Sequence, residues 1–277
     1  PAEVREALGP YIPVASTMGR IAIQLADGQL EAVTLRVSGT LAEFDTSLLG
    51  AAALAGILGA TSDTRVNLVN APHIAKEHGL EIEEVKDPRA DPQYSNLVGV
   101  EVRASGGSVY LAGSAFGANV HLLRLNEFYL DMQPQTPYML FISHHDKPGM
   151  IGRVSTIAGG HDLNIGFMEV GRTGPRGVTR AATTASSSLA GSACAACHCS
   201  GGSPGPLQKV SPDLFGRFSK AFSERVVFLS QGPCVGGVPR LREREPEDSC
   251  VKVLPFRGSV TGPHVLPCGL CWPLGSI

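Results

Sequence analysis

The chain has 277 residues and is 43% hydrophobic, enough to fill the core of one large domain or two ordinary ones. Its formal charge of −2 lacks the cationic footprint of a nucleic-acid binder. The longest apolar run, Leu48 to Ala60, covers 13 residues, too few to cross a bilayer, and no charged-then-apolar signal segment is evident, so a soluble cytoplasmic protein with no membrane partner is expected.

In chain order, Val14, Met18, Ile21 and Leu25 step by four, three and four residues, one face of a helix that Pro13 can open. Asp27-Gly28 supplies a turn, and Val33, Leu35 and Val37 alternate with polar neighbours as in a half-buried strand ending at Ser38-Gly39. Asp45 or Thr46 can cap a second helix that runs to about Gly59, and Asn70 a short third helix that stops at Gly79. Strands are expected near residues 80–86, 96–103, 108–114 and 119–125. The mixture predicts an α+β layer over residues 1–132.

A second unit begins at Tyr138. Residues 138–143 read as a strand ending in His144-His145-Asp146-Lys147, and Pro148-Gly149 then lead into a helix with Met150, Ile151, Val154, Ile157 and Ala158 on one face. A further strand runs from Leu163 to Val170, giving β-α-β, half of a ferredoxin-like sandwich.

The strand-to-helix turn has the chemistry to hold a small amino acid. Asp146 can accept from an ammonium, and backbone N–H groups at the helix start can donate to a carboxylate. Gly149 and Gly152 allow close backbone approach, Pro148 fixes the turn, and Asn164 can donate and accept at once. The plain structural alternative is that Asp146 caps the helix and Asn164 turns the chain.

Composition breaks near Arg172. Residues 1–172 hold 12 Lys and Arg against 19 Asp and Glu, whereas residues 173–277 hold 11 against 6. All seven cysteines and the only tryptophan lie in the second part, which contains no Asn, Tyr or Met. Residues 178–277 therefore read as a disordered or non-native tail, either low-complexity or translated out of frame. Cys194-Ala195-Ala196-Cys197-His198 matches the haem attachment pattern, with Cys199 a further thiolate, but its Ser/Gly/Pro-rich flanks are linker composition, so no metal is assigned.

The strings GRIAIQLADG (19–28), VNLVNAPHIAKEHGLEIEE (66–84) and ISHHDKPGMIGRVSTIAGGHDLNIGFMEVGR (142–172) resemble the C-terminal regulatory half of D-3-phosphoglycerate dehydrogenase. The resemblance implies an intervening (allosteric substrate-binding) domain over 1–132 and a partial ACT domain over 138–177. It places His144, Asp146 and Asn164 at positions that contact L-serine as effector, and His121, Arg124, Tyr129 and Gln133 at a second, anion-binding site. It further implies a homo-oligomer through the ACT or intervening domain. The family's NAD-dependent oxidation of 3-phosphoglycerate to 3-phosphohydroxypyruvate would belong to domains absent from this sequence, which contains no G-x-G-x-x-G turn, so no cofactor is assigned to this chain. The expected reading is a regulatory fragment; the alternative is a free-standing, non-enzymatic L-serine-binding and oligomerisation module. With at most two family strands under one helix, the effector site is expected to be loose and L-serine binding weak or absent.

Overall fold

The computed structural model describes residues 2–61, 65–134, 138–145, 147–161, 163–172, 178–187, 226–230 and 253–254. They divide into two compact units, the first ending at Gln135 and the second starting at Thr136.

The first unit opens with α1 (Ala2–Leu8) and, after a 3-10 turn, α2 (Ile12–Leu25), with Pro13 in its first turn. Then come β1 (Leu30–Gly39), α3 (Ser47–Gly59), α4 (Ala71–Glu77), β2 (Ile82–Asp87), β3 (Asn96–Ala104), β4 (Gly107–Phe116), β5 (Asn119–Leu125) and β6 (Phe128–Met132). The six strands form one mixed sheet in the order β2-β1-β3-β4-β5-β6. Only β1–β2 is parallel; every other pairing is antiparallel. A parallel neighbour needs a long crossover, and α3 and α4 fill the one between β1 and β2.

Alternation sets the sheet's two faces. Val33, Leu35 and Val37 are buried as their spacing predicts. Register carries the same face to Val98, Val100 and Val102, then to Val109, Leu111 and Gly113. Helix α2 packs there: a Cβ at Gly113 would lie 3.2 Å from both Val14 Cγ1 and Met18 Cε. Nine of the fourteen α2 residues are buried, including Val14, Met18, Ile21 and Leu25, because α3 covers its other side. The two helices meet backbone to backbone. A Cβ on Gly56 would collide with the Ser16 carbonyl, and one on Gly19 with the Ala53 carbonyl.

The start of α3 is fixed by polar contacts. Asp45 Oδ1 accepts the Ser47 N–H at 3.0 Å, which holds its carboxyl below the usual carboxylate range. Thr46 Oγ1 donates to Glu84 Oε2 at 2.5 Å, and Lys86 Nζ donates to the Phe44 carbonyl at 2.9 Å, so β2 clasps the loop that launches the helix. Asn70 precedes α4 as expected, but its side chain serves the preceding loop, accepting from Asn67 N and donating to Arg65 O. Strand β6 is an addition to the predicted elements; its Phe128, Leu130 and Met132 are all buried.

The second unit contains β7 (Tyr138–His145), α5 (Met150–Gly159), β8 (Leu163–Arg172), β9 (Val178–Ser187), β10 (Val226–Ser230) and β11 (Val253–Leu254). Its sheet order is β11-β10-β7-β9-β8, with every adjacent pair antiparallel. Three strands besides β7 and β8 thus pair into this sheet. Strand β9 runs between β7 and β8, paired with both, and β10 closes the other side of β7. The pairing is made by backbone groups, so an atypical composition does not prevent it. Leu140, Ile142, Val154, Ala158 and Leu163 form the core beneath α5. Ile151, expected on the buried face, is 48% exposed. The helix starts from Gly149 in a left-handed conformation (φ 87°), which sets its rotation so that Val154 and Ala158 face the sheet.

The α2–α3 contact yields a paired test. Gly56→Ala is expected to lower unfolding free energy by about 2–3 kcal/mol through forced helix separation. Gly59→Ala, with nothing within 4 Å of the added methyl, is expected to be neutral or stabilising by about 0.5–1 kcal/mol. Urea denaturation midpoints of the two variants check this; equal midpoints would show that the helices do not depend on close backbone approach.

Candidate functional site

The strand-to-helix turn of the second unit lies at the C-terminal end of β7. His144 is 3% exposed and pairs with Thr179 of β9, while Lys147, Pro148 and Gly149 are exposed. Asp146, the proposed ammonium partner, lies outside the described residues. The left-handed Gly149 turns the chain into α5, and its carbonyl accepts from Arg153 N at 3.0 Å. Cβ atoms at Gly149 or Gly152 would meet nothing within 4 Å, so the start of α5 is open to a small ligand.

Asn164 is exposed on β8, but not beside this turn. A helical crossover returns the chain to the end from which it started, so β7 and β8 run in the same direction. Register shows the consequence: His144 is level with Thr179 and Asn164 with Ser186, seven residues along β9. At about 3.3 Å per residue the two lie roughly 23 Å apart along the strand. Pro148, Gly149 and Gly152 lie in the turn and first part of α5 that follow His144 near the end of β7, whereas Asn164 lies toward the other end of the sheet.

A second polar group occupies the first unit's sheet on the face opposite α2. The Arg124 guanidinium lies 5.6 Å from the Tyr110 ring centroid and 5.3 Å from that of Tyr129, and its Nε donates to the Asn126 carbonyl at 2.9 Å. Asn126 sits in the β5–β6 turn with φ 52°, and its side chain accepts the Tyr110 N–H at 2.8 Å. Burial pushes the Tyr110 phenol up, opposed in part by the cations of Arg124 and Arg36. Tyr110 lies across Gly99, where a Cβ would come within 2.6 Å of its ring. Nearby, His121 Nδ1 is 2.7 Å from Asp131 Oδ1 and His121 Nε2 is 3.0 Å from Gln133 Nε2.

His121, Arg124, Tyr129 and Gln133 therefore share one face; the register shift between Leu122 and Arg124 brings His121 and Arg124, three residues apart, to the same side. Tyr110, Asp131 and Asn126 complete the group and were not singled out from sequence. Tyr110 could have been found from its position between the inward Val109 and Leu111; Asp131 required the β6 assignment. The arrangement holds one cation between aromatic rings and one imidazole between a carboxylate and an amide.

The sequence has no G-x-G-x-x-G, and the β1–β2 crossover is the only parallel pair among the described strands, opening with the segment Thr40-Leu41-Ala42-Glu43 in place of a glycine-rich turn. No group of three or more metal-ligating side chains occurs among the described residues. The cysteine motif at 194–199 lies outside them. No helix among the described residues is long and apolar enough to cross a membrane.

Comparison with known proteins places these observations. Residues 7–125 match the family model of the D-3-phosphoglycerate dehydrogenase intervening domain. The chain is 35% identical over 171 residues to the D-3-phosphoglycerate dehydrogenase of Archaeoglobus fulgidus, covering 62% of this chain and 32% of that protein. It is 35% identical over 177 residues to the Synechocystis enzyme, covering 63% and 32%, and 36% identical over 187 residues to the chloroplastic D-3-phosphoglycerate dehydrogenase 2 of Arabidopsis thaliana, covering 62% and 30%. The chain thus spans about a third of the length of the curated relatives it matches. Residues 7–125, most of the first unit, are thus similar to the intervening domain of D-3-phosphoglycerate dehydrogenases.

Proposed function

We propose that this chain is the regulatory part of a D-3-phosphoglycerate dehydrogenase. That enzyme oxidises 3-phosphoglycerate to 3-phosphohydroxypyruvate with NAD in L-serine biosynthesis, and in this reading the nicotinamide chemistry belongs to a catalytic domain that the sequence does not contain. The observation that carries the reading is the match of residues 7–125 to the intervening domain. The second unit is the effector-sensing ACT domain. Its strand order, a β-α-β whose two strands are split by β9, supports this.

L-serine is the proposed effector, with its ammonium on Asp146 and its carboxylate on the open start of α5. The roughly 23 Å between His144 and Asn164 means that a site using both needs two chains, which supports a homo-oligomer joined through ACT edges. Strand β8, an outer strand of the described sheet, carries Asn164. A second reading, a free-standing amino-acid-binding module without enzyme chemistry, is favoured by the lack of any glycine-rich phosphate turn in the sequence. An in-frame dinucleotide-binding domain upstream in the same transcript would decide between them.

Two calorimetric titrations of the chain test the proposal. NAD is expected to show no binding in the micromolar range, and saturable binding would place a nucleotide site within this chain. L-serine is expected to bind saturably, with Asp146→Ala weakening it at least tenfold, because removing the carboxylate leaves a desolvated ammonium unpaired. No saturable binding at millimolar L-serine would overturn the effector assignment.

A further inference from the structure

Asp27-Gly28 is the one place in the sequence where an Asp or Asn is followed by glycine. At such a pair the glycine nitrogen has no side chain of its own residue to shield it, and it can attack the neighbouring carboxyl carbon. The new N–C bond closes a five-membered imide, and the carboxyl C–O bond breaks as its hydroxyl leaves with the amide proton as water. Water then adds back at either imide carbonyl. Addition at the main-chain carbonyl leaves the chain running through the Asp27 side chain, an isoaspartyl link with one extra methylene in the backbone. Water is the only molecule that leaves or enters, and no redox partner is needed.

The fold grips this pair with a second turn. Residues 26–29 connect α2 to β1, and Ser105 and Gly106 connect β3 to β4. Gly106 N–H donates to the Asp27 carbonyl at 2.9 Å, Ser105 N–H to the Gln29 carbonyl at 2.9 Å, and Gln29 N–H to Ser105 Oγ at 3.0 Å. Gly28 lies between these anchors with φ 87°, so close to Ser105 that an added Cβ would collide with its Oγ. From the other side, a Cβ at Gly106 would lie 2.9 Å from Asp27 Cβ. Ring closure must draw the Gly28 nitrogen from non-bonded to bonded distance of the Asp27 side chain. The peptide unit that carries this nitrogen is planar and includes the Asp27 carbonyl, so the two move together. Closure therefore works against the bond from Gly106, and the two bonds to Gln29 resist the same shift. We propose that Asp27-Gly28 is a latent isoaspartate site and that the Ser105-Gly106 turn is the clamp that holds it unreacted.

The effect of conversion follows from the same contacts. An extra backbone methylene between α2 and β1 cannot keep three hydrogen bonds whose spacing is set by a normal chain. Converted molecules lose the clamp at the junction between the helix that carries Val14 and Met18 and the strand that carries Val33 and Leu35. Conversion is slow while this end of the unit is closed and fast once it opens. The inference is independent of the effector reading.

Incubation of the full chain at neutral pH, with isoaspartate at residue 27 counted by fragmentation mass spectrometry, tests it. The folded chain is expected to convert at least about tenfold more slowly than the same chain in urea, because the bracketing hydrogen bonds must open first. Ser105→Ala removes the acceptor of the Gln29 N–H and is expected to speed conversion of the folded chain about threefold or more. Asp27→Asn closes the same ring with ammonia leaving, and its deamidation is expected to be suppressed by folding in the same way. Should Ser105→Ala fail to fold, the Asp27→Asn comparison decides. Equal rates in folded and urea-unfolded chains, for the wild type or for Asp27→Asn, would overturn the clamp, as would a folded Ser105→Ala chain that converts no faster than the wild type.

Discussion

Close approach of two helix backbones governs the architecture of the first unit. With Gly19 against the Ala53 carbonyl and Gly56 against that of Ser16, α3 lies directly on α2 and leaves it almost no solvent-facing side. The inner helix must then be apolar nearly all round, and the sheet beneath it must be flat enough at Gly113 to receive Val14 and Met18. The polar clasp from β2 to the Phe44–Thr46 loop fixes where α3 starts, and hence which residues oppose Ser16. Loss of a contact at any of these places would be transmitted through rigid packing.

Local pattern made much of this legible. Pro13 and the three-and-four spacing marked α2, and alternation marked β1 and gave its core face. What alternation could not supply was partnership. Tyr110, Arg124 and Tyr129 come from three strands, and only register brings them to one cation-centred stack. Strand β6 is five residues long, too short to announce itself beside the stronger patterns upstream, although Phe128, Leu130 and Met132 do alternate.

The second unit was harder to read for two physical reasons. Composition after Arg172 shifts away from branched aliphatic and amide residues, which argued against strands, yet β9 is held by ladders on both sides whose donors and acceptors belong to every residue but proline. Asn164 was read beside the β7–α5 turn because a motif is read along the chain. The crossover carries it to the far end of the sheet, a consequence of helix length and strand direction that residue identity does not express.

That separation also constrains mass action. A ligand touching both the His144 end of one sheet and Asn164 must be gripped by two copies, so ligand occupancy and chain association become linked equilibria. Dilution would then weaken apparent affinity without altering a single contact, and saturating ligand would hold the assembly together at concentrations where free chains part. A two-fold arrangement of such sheets would repeat each shared position, so every ligand bound would also act as a cross-link.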